Sequence, residues 1–129
     1  MTTPQDVFVP GALNGKVALL AGASSGINLG IAQHFARAGA KVAILSRTPE
    51  RIEAAGKTIS DEGFPVLARA ADVRDFDAID AVFREAVEAF GPIDIVVSGA
   101  AGNFHAAAAN ISPNGFRTVI EIDLIGNFN

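Results

Sequence analysis

The stretch Ala21-Gly22-Ala23-Ser24-Ser25-Gly26-Ile27 follows a short apolar run and precedes residues that recur at helical spacing. Glycine at a strand-to-helix turn lets the backbone come close to a ligand. The free amides and dipole of the following helix N-terminus favour negative charge, so a turn of this kind suits a pyrophosphate. Gly22, Ser24, Ser25, Gly26 and Ile27 are therefore candidate phosphate contacts, with an ordinary glycine-rich turn as the bland alternative. Roughly 20 residues beyond the glycines, the spacing expected of a ribose-reading position, a second apolar run ends Leu45-Ser46-Arg47. A carboxylate there would bind the 2′-hydroxyl of NAD, whereas an arginine pairs with the 2′-phosphate of NADP. Arg47 thus points to NADP(H), against the alternative of a solvated surface arginine.

Other chemistries are missing. The chain has no cysteine and no tyrosine, and its only lysines are Lys16, Lys41 and Lys57. Disulfides, thiolate metal sites and cysteine nucleophiles are excluded. His34 and His105 have no partners at ligand spacing, so no metal site is expected.

Placing the glycine turn and Arg47 together requires strands that end on the same edge. Residues 16–21 form a short apolar run bounded by glycines, which reads as a buried strand. Ile27, Ile31, Phe35 and Ala38 then mark a helix, with Gly39 just past its end and Gly30 as a close-packing position inside it. The pattern repeats. Residues 42–45 read as a strand, Thr48 as an N-cap and Pro49 as the first helical position. Residues 65–71 supply a third strand, Asp75 a cap, and Ile79, Val82, Phe83, Ala86 and Phe90 an apolar helix face. Residues 93–97 read as a fourth strand, and Ser112-Pro113 opens a last helix carrying Phe116, Val119, Ile120 and Ile122. Strands alternating with helices imply a parallel sheet with right-handed crossovers. The expected architecture is an α/β Rossmann-type three-layer αβα fold with strand order 3-2-1-4 and without the second half of a complete fold. A polar lead over residues 1–14, containing Pro4 and Pro10, would precede a nucleotide-binding half-domain over residues 15–129. The fourth strand would lie at an open edge, covered by another chain or by residues not in this sequence.

Composition limits the partners. A net charge of −4 without blocks of like charge offers no footprint for nucleic acid or an anionic membrane. No stretch approaches the ~18 apolar residues of a membrane span. The expected setting is the cytoplasm, with which the absence of cysteine is compatible.

The glycine turn resembles the Thr-Gly-x-x-x-Gly-x-Gly motif of the short-chain dehydrogenase/reductase family, with Ala21 in place of its Thr and Asn28 in place of its third Gly. The resemblance runs from about residue 15 onward, over the front part of the family's domain. It implies that Asp72 and Val73 hold the adenine ring, although Asp72 also reads as a turn or capping residue. After the fourth strand, Ser98 and Gly99 replace the two asparagines of the family's Asn-Asn-Ala-Gly, and Ser98, Gly99 and Ala100 become cofactor contacts by the same resemblance. The segment Ala100-Ala101-Gly102-Asn103-Phe104, with Ser112, Asn114, Phe116 and Ile122-Asp123, is similar to the 2,4-dienoyl-CoA and trans-2-enoyl-CoA reductase branch. In that branch Arg74 and Phe104 would face an acyl-CoA; loop packing is the equal alternative for Phe104. Asp123 stands where most of the family has an Asn of its catalytic tetrad, and also reads as a plain helix aspartate.

The family's proton chemistry uses a serine and a Tyr-x-x-x-Lys pair, the lysine keeping the tyrosine acidic near neutral pH. With no tyrosine and no lysine after Lys57, this chain is expected to bind cofactor without turning over alone. Three readings follow. One is the cofactor-binding piece of a longer NADP-dependent reductase that forms homo-oligomers. Another is a non-catalytic nucleotide-binding or interaction protein that pairs through its open sheet edge. The third, a different Rossmann-type enzyme such as a methyltransferase, is opposed by Arg47, where a ribose-binding carboxylate would be wanted.

Overall fold

A computed structural model of the chain describes residues 8–129; residues 1–7 of the polar lead, with Pro4, lie outside the described residues. The elements run β1 (Val17–Ala21), α1 (Gly26–Arg37), β2 (Lys41–Ser46), α2 (Pro49–Ser60), β3 (Val66–Ala70), α3 (Phe76–Phe90), β4 (Ile95–Ser98) and α4 (Pro113–Ile120). The strands form one parallel sheet in the order β3-β2-β1-β4, the order expected from the β-α repeats.

The apolar runs occupy the middle of the sheet because they are apolar on both faces. Every residue of β1 is buried, as are Val42, Ala43, Ile44 and Leu45 of β2. Alternation divides them between two cores. Ala18, Leu20, Val42 and Ile44 face α1 and α2 through Ala32, Ala36, Ile52, Ala55 and Ile59. Leu19, Ala21, Ala43 and Leu45 face Val82 and Ala86 of α3, with Ile122 beyond α4. Helices therefore cover both faces, giving three layers. Each fully buried Leu or Ile contributes about 1.5–3 kcal/mol of transfer free energy, so the two central strands anchor the domain.

The edge strands are looser. In β4 exposure alternates, and Val96 is 61% exposed. β4 starts two residues later than its apolar run suggests. Asp94 is used instead as a tie, its carboxylate accepting from the Val17 amide at 2.9 Å and from Lys16 Nζ at 3.0 Å. The Val17 amide is the main cause holding the Asp94 carboxyl below its ordinary range, with Lys16 second. Gly30 does not pack closely: a Cβ there would meet nothing within 4 Å. The expectation of a contact at Gly30 is corrected, because this turn of α1 faces open space. α4 continues into a widened π-helical turn (Glu121–Ile125) and a last turn (Gly126–Phe128), which the periodicity did not signal.

Candidate functional site

The parallel register brings the carboxyl ends of the strands to one edge. Ala21 pairs with Leu45 and with Ser98, and Ser46 with Ala70, so the turns that follow these strands are neighbours. The chain after β1 turns over the end of β2, with the Gly22 and Ala23 amides donating to the Leu45 carbonyl at 2.9 and 3.2 Å. Gly22 is required twice. Its φ is +73°, and a Cβ would stand 2.7 Å from the Gly99 carbonyl oxygen.

The helix starts differ in how their amides are satisfied. Asp75 caps α3, accepting from Ala78 N at 3.1 Å, and Ser112 caps α4, accepting from Gly115 N at 3.0 Å. The start of α1 receives no side-chain cap from Ser25, and its first turn carries no acidic residue. Gly26, at that start, faces open space where a Cβ would meet nothing within 4 Å. Uncapped amides facing open space, without a competing carboxylate, leave donors free at this turn.

Beside it lies a cavity of about 170 Å³, lined by Gly22, Ser24, Ser46, Arg47, Thr48, Arg51, Ala71, Val73, Ala100, Ala101 and Ile122, with Leu45 at its floor. Neither Arg47 nor Arg51 forms an ion pair among the described residues. Arg51 reaches back from α2 to donate from Nη2 to Ser25 Oγ at 3.2 Å. The buried Ser46 hydroxyl has no hydrogen-bond partner among the described residues. Two guanidiniums without carboxylate partners, lining one cavity beside the glycine turn, suit an anionic ligand. A larger groove of about 460 Å³ lies elsewhere, lined by Phe8, Val9, Leu13, His34, Phe35 and Arg37 among others. Its polar groups are already occupied: His34 Nδ1 meets the Gly30 carbonyl at 2.8 Å, and Arg37 makes a two-pronged pair with Glu62.

The sequence candidates divide accordingly. Gly22, Ser24, Arg47, Val73 and Ala100 line the cavity, while Ser25, Gly26 and Ile27 are outside its lining and exposed at the start of α1, Ile27 by 83%. Asp72 sits beside it with its carboxylate engaged, accepting from the Arg74 amide at 3.0 Å and from Arg74 Nη2 at 2.6 Å. That guanidinium is the main cause holding the Asp72 carboxyl below its ordinary range, while burial pushes the other way. Asp72 therefore takes the turn role allowed for it, and Arg74 is its partner. Ser98 and Gly99 lie at the end of β4 outside the lining: Ser98 Oγ bonds Asn127, and the Gly99 carbonyl accepts from Asn28 Nδ2 at 3.0 Å. Phe104 is half-exposed and lies over Gly115, where a Cβ would touch its ring.

Asp123 belongs to the π-helical turn and accepts from the Gly102 amide at 2.8 Å, pinning the loop that follows β4. The Asp123 carbonyl accepts from Asn127 Nδ2 at 2.6 Å. Sequence reasoning missed Ser46, Arg51 and Asn127. For Arg51 a signal existed, since it follows Arg47 by four residues around Pro49. For Ser46 and Asn127 there was none, because orphaning and pairing between residues distant in sequence appear only in three dimensions.

The model of the short chain dehydrogenase family matches residues 16–129. The chain belongs to the short-chain dehydrogenase family. Among its relatives, the peroxisomal 2,4-dienoyl-CoA reductase of Arabidopsis thaliana is 40% identical over 122 residues, covering 95% of this chain and 41% of that protein. A peroxisomal 2,4-dienoyl-CoA reductase of Saccharomyces cerevisiae is 43% identical over 124 residues, covering 93% of this chain and 42% of that protein. Among solved structures, the actinorhodin polyketide ketoreductase with NADPH superposes with a TM-score of 0.84 at 33% identity, over 88% of this chain and 43% of that one. The chain thus spans about two fifths of the length of the curated relatives it matches. No helix among the described residues is long and apolar enough to cross a membrane.

Proposed function

We propose that this short-chain dehydrogenase chain is the NADP(H)-binding half of an oxidoreductase that reduces an enoyl-CoA or dienoyl-CoA. The observation that carries the cofactor choice is that Arg47 and Arg51, neither in an ion pair among the described residues, line one cavity with Gly22 and Ser24 of the glycine turn. A 2′-phosphorylated ribose supplies the negative charge that the two guanidiniums lack. The amides of Ser24 and Ser25 before α1 and of Gly26 and Ile27 at its start take the pyrophosphate, and Gly22 lets the backbone approach it. Val73, with the turn held by Asp72, borders the adenine, and Ala100 with Ser98 and Gly99 carries the path toward the nicotinamide.

When bound, the nicotinamide supplies the hydride. The chain's own contribution at that end is to hold the backbone: Asp123 fixes Gly102, and Asn127 ties Ser98 to the same turn. Arg74 and Phe104 lie on loops at this edge and are assigned to the acyl-CoA side, Arg74 after exchanging its contact with Asp72 for substrate. The acid that protonates the product is supplied from outside this chain, which has no tyrosine and no lysine after Lys57. The proposal includes a small-molecule acyl-CoA substrate, self-association and a cytoplasmic setting, with no nucleic-acid, membrane or metal partner; the two relatives above are named as peroxisomal.

A second reading, a non-catalytic nucleotide-binding protein that pairs through its sheet edge, is favoured by one observation, the 61% exposure of Val96 on β4. One assay separates the two. The full-length protein should oxidise NADPH only when a 2,4-dienoyl-CoA or 2-enoyl-CoA is added. NADPH binding without turnover on either thioester would favour the second reading, and no NADPH binding would reject both.

A further inference from the structure

Two of the four positions at which the chain departs from its family's glycine and asparagine motifs, Asn28 and Gly99, touch each other. Asn28 sits in the first turn of α1, and its Nδ2 donates to the Gly99 carbonyl at 3.0 Å and to the Gly22 carbonyl at 3.4 Å. Both partners are acceptors, so the carboxamide orientation is set: only its NH2 group, with two protons, can serve them together. The space is closed around it, since a Cβ on Gly99 would overlap the Asn28 carboxamide. A Cβ on Gly22 would stand 2.9 Å from Ala100 N. One amide therefore bolts the phosphate turn after β1 to the loop after β4, and Gly99 is glycine because that amide is there.

We propose that Asn28 is a positioning residue that sets the distance between the phosphate turn and the nicotinamide end of the cofactor cleft, and that Asn28 and Gly99 are one reciprocal exchange. Where the family motifs have a glycine in the helix and an asparagine in the β4 loop, this chain has the two the other way round. The bolt lies between the two halves of the cleft. Ser46, Arg47 and Arg51 stand on β2, the turn after it and α2, and Asn28 bonds none of the three. Loosening the bolt should therefore cost binding of the whole dinucleotide and spare its adenosine half. This inference rests on the cofactor reading above, and the test keeps the two apart.

Asn28→Gly, Asn28→Asp, Gly99→Asn and the double variant Asn28→Gly/Gly99→Asn would be made in the full-length protein. Affinity for NADPH and for 2′,5′-ADP would be measured by calorimetry, together with thermal melting. Loss of one such bond should weaken NADPH by about tenfold in Asn28→Gly, and by more in Asn28→Asp, whose carboxylate would face two carbonyl oxygens, while 2′,5′-ADP stays within about twofold. Gly99→Asn should weaken NADPH or melt early through overlap, and the double variant should recover both readouts. Unchanged NADPH affinity in Asn28→Gly, equal losses for both ligands, or a double variant no better than the sum of its singles overturns the proposal. A parent protein that binds neither ligand defeats the cofactor reading alone. The melting cycle then still decides whether positions 28 and 99 are coupled, and additive losses overturn the exchange.

Discussion

Replacing Arg47 by Ala removes one of two guanidiniums at the end of β2 while leaving the fold intact, because the side chain is exposed and makes no ion pair among the described residues. A hydrogen bond to a charged group is worth about 1.5–3 kcal/mol net, and exposure to solvent places this one at the lower end. NADPH should therefore bind about tenfold more weakly to Arg47→Ala. Arg51→Ala should act in the same direction and also release Ser25 Oγ. The two losses should not add, since neighbouring arginines that share one phosphate are coupled. NADH, which carries no 2′-phosphate, should change by less than about twofold in either variant. Raising salt from low to physiological strength should narrow the NADPH advantage, as expected of a solvent-exposed ionic contact. Titrating both nucleotides by the change in their reduced-nicotinamide fluorescence reads all of this in one experiment. If the parent binds NADH and NADPH equally, or if Arg47→Ala weakens both alike, the 2′-phosphate argument is wrong.

Gly22→Ala should abolish nucleotide binding and destabilise the fold by about 1–3 kcal/mol, the cost of a non-glycine residue at φ +73°; denaturant midpoints with and without NADPH would read both. Ile44→Ala, in the middle of β2 and fully buried, should cost about 2–5 kcal/mol by urea unfolding, and a loss below about 1 kcal/mol would mean that the two-core description is wrong. In the full-length protein, Asp123→Ala should lower turnover by about tenfold by freeing the Gly102 amide, whereas Asp123→Asn, which keeps an acceptor, should retain most of it. Because the Asp94 carboxyl is held below its ordinary value by the Val17 amide and then by Lys16, its stabilising effect is present above the unfolded value and is lost as pH falls through the folded one. Asp94→Asn should be less stable than the parent at neutral pH, and the difference should shrink progressively in urea melts taken from pH 3.8, the ordinary value, downward.

What was legible in the sequence was what short-range pattern encodes. Runs such as Val42 to Leu45, apolar at every position, must lie in the middle of a parallel sheet, and the glycine after 21 must turn there. Those two facts, repeated, yield the strand order and place Arg47 beside the phosphate turn. What was not legible depends on partners distant in sequence. Asp72 reads as an adenine contact, with a turn role beside it, and only the structure shows Arg74 folded back on its carboxylate. The spacing of Ile120 and Ile122 could not show the widened turn that aims Asp123 at Gly102, because a π turn changes the phase of a helix without changing its composition.

The same reasoning explains why the candidate residues gather at one edge. In a parallel sheet every strand ends on the same side, so each β-to-α turn adds one contact to a common cleft, and residues far apart in sequence converge without any strand bending. Gly22, Arg47, Val73 and Ala100 follow β1, β2, β3 and β4 respectively, and all four line one cavity. Such a cleft has no covalent frame of its own. Its width is set by whatever ties adjacent turns together, and among the described residues such ties include the Gly22 amide on Leu45, the Ala71 amide on Ser46, and Asn28 on Gly99. The first two are backbone bonds that any sequence could form. The third needs a particular side chain, which makes the junction between the β1 and β4 turns the place where cleft width can be altered by substitution without disturbing the sheet.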